Sequence, residues 1–258
     1  MVTPLGRDSL AACFGHAIPH SRLRGRRRWS RIIYPVIPEH YSRDIALRCD
    51  RLLDCLLPIV AEKHEKDFGG PLATTLLVAL SVPMIVLPME RLYKPGLSDD
   101  AAMADDRTID PHLAKAVEDV LGLGKPFNSA PFAMNVEVSY CERQPAFNIA
   151  SGWNKRLLDA LGSDEARDRA QRTDASKLLR DLRNALAHGG IAYLDAGGHQ
   201  TDSRAEFIAF VGASRAKRPV EHVNVLRISE RHYRQFLRNW CRWLYDSGVS
   251  EALSREVA

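Results

Sequence analysis

Residues 174–190 read DASKLLRDLRNALAHGG, a segment whose two ends are as informative as its middle. Asp174 is of the type whose side-chain oxygen caps the free N–H groups of a first helical turn, and Gly189 and Gly190 admit the left-handed turn that closes a last one. On a wheel of about 100° per residue, Leu178, Leu179, Leu182, Ala185 and Leu186 share one side, and Arg180, Arg183, Asn184, Ala187 and His188 lie across from them. The spacing predicts one amphipathic helix over 174–188, seated on a core by its leucines.

The polar side of that helix is unusually stocked. His188 follows Arg183 by five positions, so they stand about 7.5 Å apart along the axis and differ by about 140° around it, flanking Asn184 and Ala187. A guanidinium offers a fixed fork of donors matched to phosphate oxygens, a carboxamide orients a phosphate or a nucleophile, and an imidazole exchanges protons near neutrality. The trio suits phosphodiester chemistry. RNA needs no metal for that chemistry, because its 2′-hydroxyl can attack the adjacent phosphorus. An ordinary solvated helix face carries the same residue types, so the trio taken alone leaves both readings open.

In context it becomes more specific. The segment LLRDLRNALAHGGIAYLD (178–195) resembles the Arg-x4-6-His motif of HEPN domains, in which a polar residue, often Asn, follows the Arg. More narrowly it resembles the HEPN-family nucleases first described on bacterial plasmids. The likeness extends to FGGPLATTLLVALSVPMIVLPMERL (68–92), EFIAFV (206–211) and VNVLRISERHYRQFLRNWCRWL (223–244), and so spans most of residues 38–246. The resemblance implies a mainly α fold, a HEPN-like helical bundle, often a homodimer in which two motif helices line one cleft. It also implies a metal-independent endoribonuclease that leaves 2′,3′-cyclic phosphate ends, with roles in toxicity or anti-phage defence. Carried onto this chain, Arg183 binds the scissile phosphate, His188 is general acid/base and Asn184 assists orientation, with no cofactor. The rival implication is a HEPN module that binds RNA, nucleotide or protein without turnover. HEPN toxins silenced by a nucleotidyltransferase commonly carry Tyr two residues after the His. Here that position is Gly190 and the nearest tyrosine is Tyr193.

Working outward, IAYLD and EFIAFV around AGGHQTDSRA predict a small β-hairpin directly after the motif helix. A final helix is expected over about 227–246, with Tyr233, Phe236, Leu237, Trp240, Trp243 and Leu244 on its core side. Opposite them Arg227, Arg231, Arg234, Arg238 and Arg242 form a stripe. Arg180 and the first four of these are the expected contacts to RNA phosphates, although such a stripe also fits a solvated face paired with acids elsewhere. Towards the N-terminus, Ile45, Cys49, Leu52, Leu53, Leu56 and Val60 predict a helix over about 39–66, bent at Pro58. Residues 71–89 carry no charge and could span a bilayer on length alone. Pro83, Pro88, Thr74, Thr75 and Ser81 dilute the run and Glu90 and Arg91 close it, so a fully buried central helix is expected instead. Asp110 and Pro111 open a short helix over 111–121, and a short strand is expected at 136–140.

Composition sets the remaining bounds. The 258 residues are 45% hydrophobic and 26% charged, which excludes a disordered chain. Five scattered cysteines without a C-x-x-C pair indicate neither a disulfide framework nor a zinc cage and point to a reduced, cytosolic setting. The net charge of +4 divides into a leader, residues 1–31, with seven Arg against one Asp, and a slightly acidic remainder. The expected organisation is a basic tail over 1–35, a single domain over 36–248 and a C-terminal tail over 249–258. Asp99, Asp100, Asp105 and Asp106 read as a solvated loop without calcium-loop spacing, and His16 and His20 are separated by Pro19, so no metal site is expected.

Overall fold

A computed structural model describes residues 40–61, 70, 72–93, 105–122, 126–127, 129, 137–213 and 220–255. The basic leader, His16, His20, Asp99 and Asp100 lie outside them. Residues Pro38–Ala258 form one compact unit.

Helix α1 (Tyr41–Ala61) buries Ala46, Cys49 and Leu53 along one stripe and contains Pro58; residues 62–66 of the longer helix expected there are outside the described range. Helix α2 (Leu72–Pro88) follows and packs against it. At Pro88, which has no N–H to give, the helical ladder widens into a π turn over Met89–Tyr93. α2 is less buried than its composition suggests. Thr74, Leu77, Val78, Ser81, Met84, Ile85 and Pro88 are buried, but Thr75 and Ala79 are exposed. The expectation of a fully buried helix is therefore corrected, because only one side of α2 meets α1, α6 and α7. By length and composition the run Leu72–Tyr93 could cross a membrane.

Helix α3 (Pro111–Leu121) begins as its sequence announces, with the Asp110 carboxylate accepting from the Leu113 N–H at 3.0 Å. Strand β1 (Val138–Pro145) leads to two short helices that sequence periodicity did not single out. These are α4 (Lys155–Gly162) and α5 (Asp164–Arg172), N-capped by Asn154 and Ser163. The motif helix α6 (Ala175–His188), strands β2 (Ile191–Leu194), β3 (Phe207–Ala213) and β4 (His222–Ser229), and helix α7 (Glu230–Arg255) complete the chain.

The expected hairpin is present, with Ile191 opposite Phe210 and Leu194 opposite Phe207, but it is half of a larger sheet. Four antiparallel strands run in the order β1-β4-β3-β2. The fold is mostly helical with a central sheet, and not a bundle carrying one hairpin. The sheet separates two apolar layers. Val138, Tyr140, Ile208, Phe210, Leu226 and Ile228 join the leucines of α6 and the aromatics of α7. Cys141, Val211, Val223 and Val225 point the other way, to Leu157, Leu161 and Ala166 of α4 and α5. Because both faces of β4 are covered, HVNVLRIS lacks the alternation of polar and apolar residues that marks a half-exposed strand. That is why Arg227, placed on the last helix by its spacing to Arg231, belongs to β4 instead. α7 also continues to Arg255, into the stretch expected as a tail.

Trp240 is fully enclosed and donates its Nε1–H to the Met84 carbonyl at 2.9 Å, so this tryptophan is core. Asp106, expected in a solvated loop, is also inside. It accepts from the Ser42 N–H (3.0 Å), the Ser42 hydroxyl (2.6 Å) and the Arg91 Nη2 (2.5 Å). Burial alone would raise its pKa, but the Arg91 and Ser42 hydrogen bonds outweigh that and hold it below the usual carboxylate value.

Candidate active site

The site is built on α6. Its start departs from expectation in detail: Asp174 occupies the cap position but its side chain makes no capping bond, and its backbone instead pairs with Pro126. The end is as expected and tighter. Gly189 takes the left-handed conformation (φ 72°), and the Gly190 N–H reaches back to the Ala185 carbonyl at 2.9 Å, the six-to-one bond of a Schellman turn. The Gly190 carbonyl then accepts from the Val211 N–H at 2.7 Å, so the helix terminus is fastened directly to β3. A Cβ at Gly190 would stand 2.1 Å from the Val211 carbonyl oxygen. A tyrosine two residues after His188 therefore has no room unless β3 moves.

All five predicted apolar residues of the helix are buried, and Asp181 is buried with them. Its Oδ2 accepts from the Tyr140 hydroxyl at 2.5 Å and from Asn224 Nδ2 at 3.0 Å. Asn224 in turn accepts the Arg143 N–H (3.0 Å) at a bulge in β1, where Arg143 adopts φ 51°. One carboxylate thus joins the motif helix to β1 and β4. Burial raises the pKa of Asp181, since the Tyr140 and Asn224 bonds offset only part of the desolvation. Burial and the Asp181 charge likewise raise that of Tyr140.

On the opposite side Arg183 Nη1 donates to Asn184 Oδ1 at 2.6 Å, and Nη2 forms an ion pair with Glu90 in the π turn. The Arg183 side chain is 31% exposed, and partial burial lowers its pKa. His188 and Arg180 are exposed, and among the described residues the His188 side chain has no hydrogen bond or ion pair. The structure thus brings Arg183 and Asn184 together, adds Glu90 to them, and leaves His188 open at the helix end.

The predicted arginine stripe is divided. Arg234 binds Asp50 at 2.6 Å and Asp54 at 2.6 Å, and Arg238 binds Asp54 at 2.5 Å, so these two fasten α7 to α1. Arg231 is exposed beside His232. Arg227 lies on the sheet face away from α6, with Nη2 on the Leu161 carbonyl at 2.7 Å.

No protein-family model, no curated protein and no solved structure matches the chain.

The residues that sequence reasoning missed had partial signals. Asp181 follows Leu178 by three and precedes Ala185 by four, which places it on the apolar stripe. Glu90 is the first charge after the uncharged run. Among the described residues no group of three or more His, Cys, Asp or Glu could hold a metal ion.

Proposed function

We propose that this chain is a HEPN-type, metal-independent endoribonuclease, cytoplasmic and acting as a homodimer, in toxicity or anti-phage defence. The observation that carries the reading is the arrangement on α6: Arg183 and Asn184 joined by a hydrogen bond, with a free, exposed His188 one turn further on. In the proposed reaction the 2′-oxygen attacks phosphorus, the bond to the 5′-oxygen breaks, and the products are a 2′,3′-cyclic phosphate and a 5′-hydroxyl. Arg183 stabilises charge on the non-bridging oxygens and His188 carries a proton. Attacking and leaving oxygens lie on opposite sides of phosphorus, so one imidazole does not reach both. His188 of a second copy supplies the other transfer, which is the chemical reason for a shared cleft.

The Glu90 ion pair favours a second reading, a HEPN-like module that binds RNA, nucleotide or protein without turnover, because a guanidinium already held by a carboxylate is less free to stabilise charge on a scissile phosphate. One experiment separates the two. Purified protein is incubated with RNA in excess chelator beside Arg183→Ala and His188→Ala variants. The nuclease reading expects cleavage that falls roughly 100-fold or more in each variant. Retention of RNA with no cleavage by the wild type, or variants that cut equally well, overturns it. A strictly monomeric solution mass overturns the shared cleft.

A further inference from the structure

On the far side of the sheet from α6, a small half-open cleft of about 70 Å³ is lined by Glu137, Val138, Ser139, Arg167, Phe207 and Arg227. Its floor is the half-buried Arg227 guanidinium. Nε donates to Ser139 Oγ at 3.2 Å, Nη2 donates to the Leu161 carbonyl at 2.7 Å, and the guanidinium carbon lies 4.8 Å from the centre of the Phe207 ring. These contacts fix the plane of the group, but none of them supplies a negative charge.

Burial of a cation without a counter-ion is unfavourable, and a second one nearby makes it worse. Desolvation and then the charge of Arg167 pull the Arg227 pKa down, and the opposing influences of Cys141 and Glu137 do not restore it. The carboxylate partner of Arg167, Asp164, is 95% exposed. The Glu137 side chain is 66% exposed at the cleft mouth and lies 3.8 Å from His232. Among the described residues Arg227 Nη1 has no acceptor, and the Ser139 hydroxyl, which accepts from Arg227, still has its own proton to donate. Two guanidiniums and one hydroxyl donor therefore line one cleft, and the two acids near it, Glu137 and Asp164, are both largely exposed.

We propose that this cleft binds a phosphomonoester, held between Arg227 and Arg167 with the Ser139 hydroxyl as a further donor. A phosphomonoester carries roughly −1.5 to −2 at neutral pH, which matches two guanidiniums where a carboxylate would match one. At about 70 Å³ the cleft is far smaller than a drug-sized ligand site, so it takes the phosphate group itself and leaves whatever the ester carries to extend through the open side into solvent. The proposal goes beyond ribonuclease action, since no residue of the α6 trio takes part.

The test is isothermal titration of the full chain with sodium phosphate and, separately, with AMP, using sodium chloride at matched ionic strength as the blank. Saturable binding is expected, weakened roughly tenfold or more in Arg227→Met and in Arg167→Ala. Tighter binding of AMP assigns the site to nucleotides, and equal binding assigns it to the phosphate group alone. Because Arg227 also bonds Leu161, its variant can fail to fold. The Arg167 side chain is 51% exposed, so Arg167→Ala decides the matter. No saturable binding of either compound overturns the proposal, as does binding that survives Arg167→Ala undiminished. Loss in Arg183→Ala alone would place the anion on α6 instead.

Discussion

Asp181 lets the rigidity of the motif helix be measured. Its side chain is buried, and one oxygen accepts from both Tyr140 and Asn224. Asp181→Ala strands two buried donors, each worth about 1–3 kcal/mol when left unpaired. The expected loss is about 3 kcal/mol, or a Tm lower by some 6–12 °C for a chain of this size. Asp181→Asn keeps a carbonyl oxygen where the accepting oxygen was and should stay within about 1 kcal/mol of wild type. Both variants also differ from wild type in pH dependence, because neither carries a titrating group at this position. The pKa of Asp181 is raised by folding, so between the ordinary 3.8 and the folded value the native state holds a proton that the unfolded chain has released. Stability from this group is full below 3.8 and is lost as pH rises through the folded pKa. Asparagine does not titrate, so Asp181→Asn should gain on wild type across that interval. Urea melts followed by circular dichroism, from pH 4 to pH 8, measure all three proteins. An Asp181→Ala variant within about 1 kcal/mol of wild type would refute the two-donor account. An Asp181→Asn variant as unstable as Asp181→Ala would show that the charge, not the hydrogen bonding, matters.

Asp106 should behave in the opposite sense. Its folded pKa is depressed, so its contribution is full above the ordinary 3.8 and disappears as pH falls through the folded value. Asp106→Ala, which leaves Arg91 unpaired, should cost about 3–5 kcal/mol at pH 7 in a denaturant melt. Gly190→Ala forces a Cβ against the Val211 carbonyl and should destabilise by about 2–3 kcal/mol, read as a lowered Tm. Gly189→Ala has open space but a left-handed backbone and should cost about 1–2 kcal/mol. Glu90→Gln releases Arg183 from its carboxylate and, on the proposed function, should tighten RNA binding about two- to fivefold at low salt in a filter-binding assay. Unchanged or weaker binding would show that Glu90 does not compete with phosphate.

What the sequence disclosed was local. Helix α6 was legible because its leucines repeat with the helical period and its terminating glycines are adjacent in the chain. The β2–β3 hairpin was legible because a turn-rich linker lies between two β-prone runs. The unread parts depend on distant partners. Arg183 meets Glu90 across 93 positions, and Asp181 meets Asn224 across 43. Nothing in the local spacing of either acid specifies such a partner. β4 escaped because burial on both faces removes its alternation, and the same loss moved Arg227 onto the wrong element. Asp106 looked solvated because it belongs to an acidic run, and only the approach of Ser42 and Arg91 distinguishes it from its neighbours.

These long-range contacts also determine whether the trio on α6 has a fixed geometry. The leucine stripe alone would permit the helix to slide or roll, since apolar contacts are weakly directional. Asp181 restricts the roll through bonds to two different strands, and Gly190 restricts the slide through its backbone bond to β3. With both in place, the azimuths of Arg183, Asn184 and His188 are imposed from the core side, before any ligand arrives. Of the three, Arg183 also carries a charge-bearing restraint, from Glu90, and Glu90 sits in a π turn that Pro88 introduces. The core thus sets where the guanidinium stands, and the π turn sets what it must release to bind phosphate.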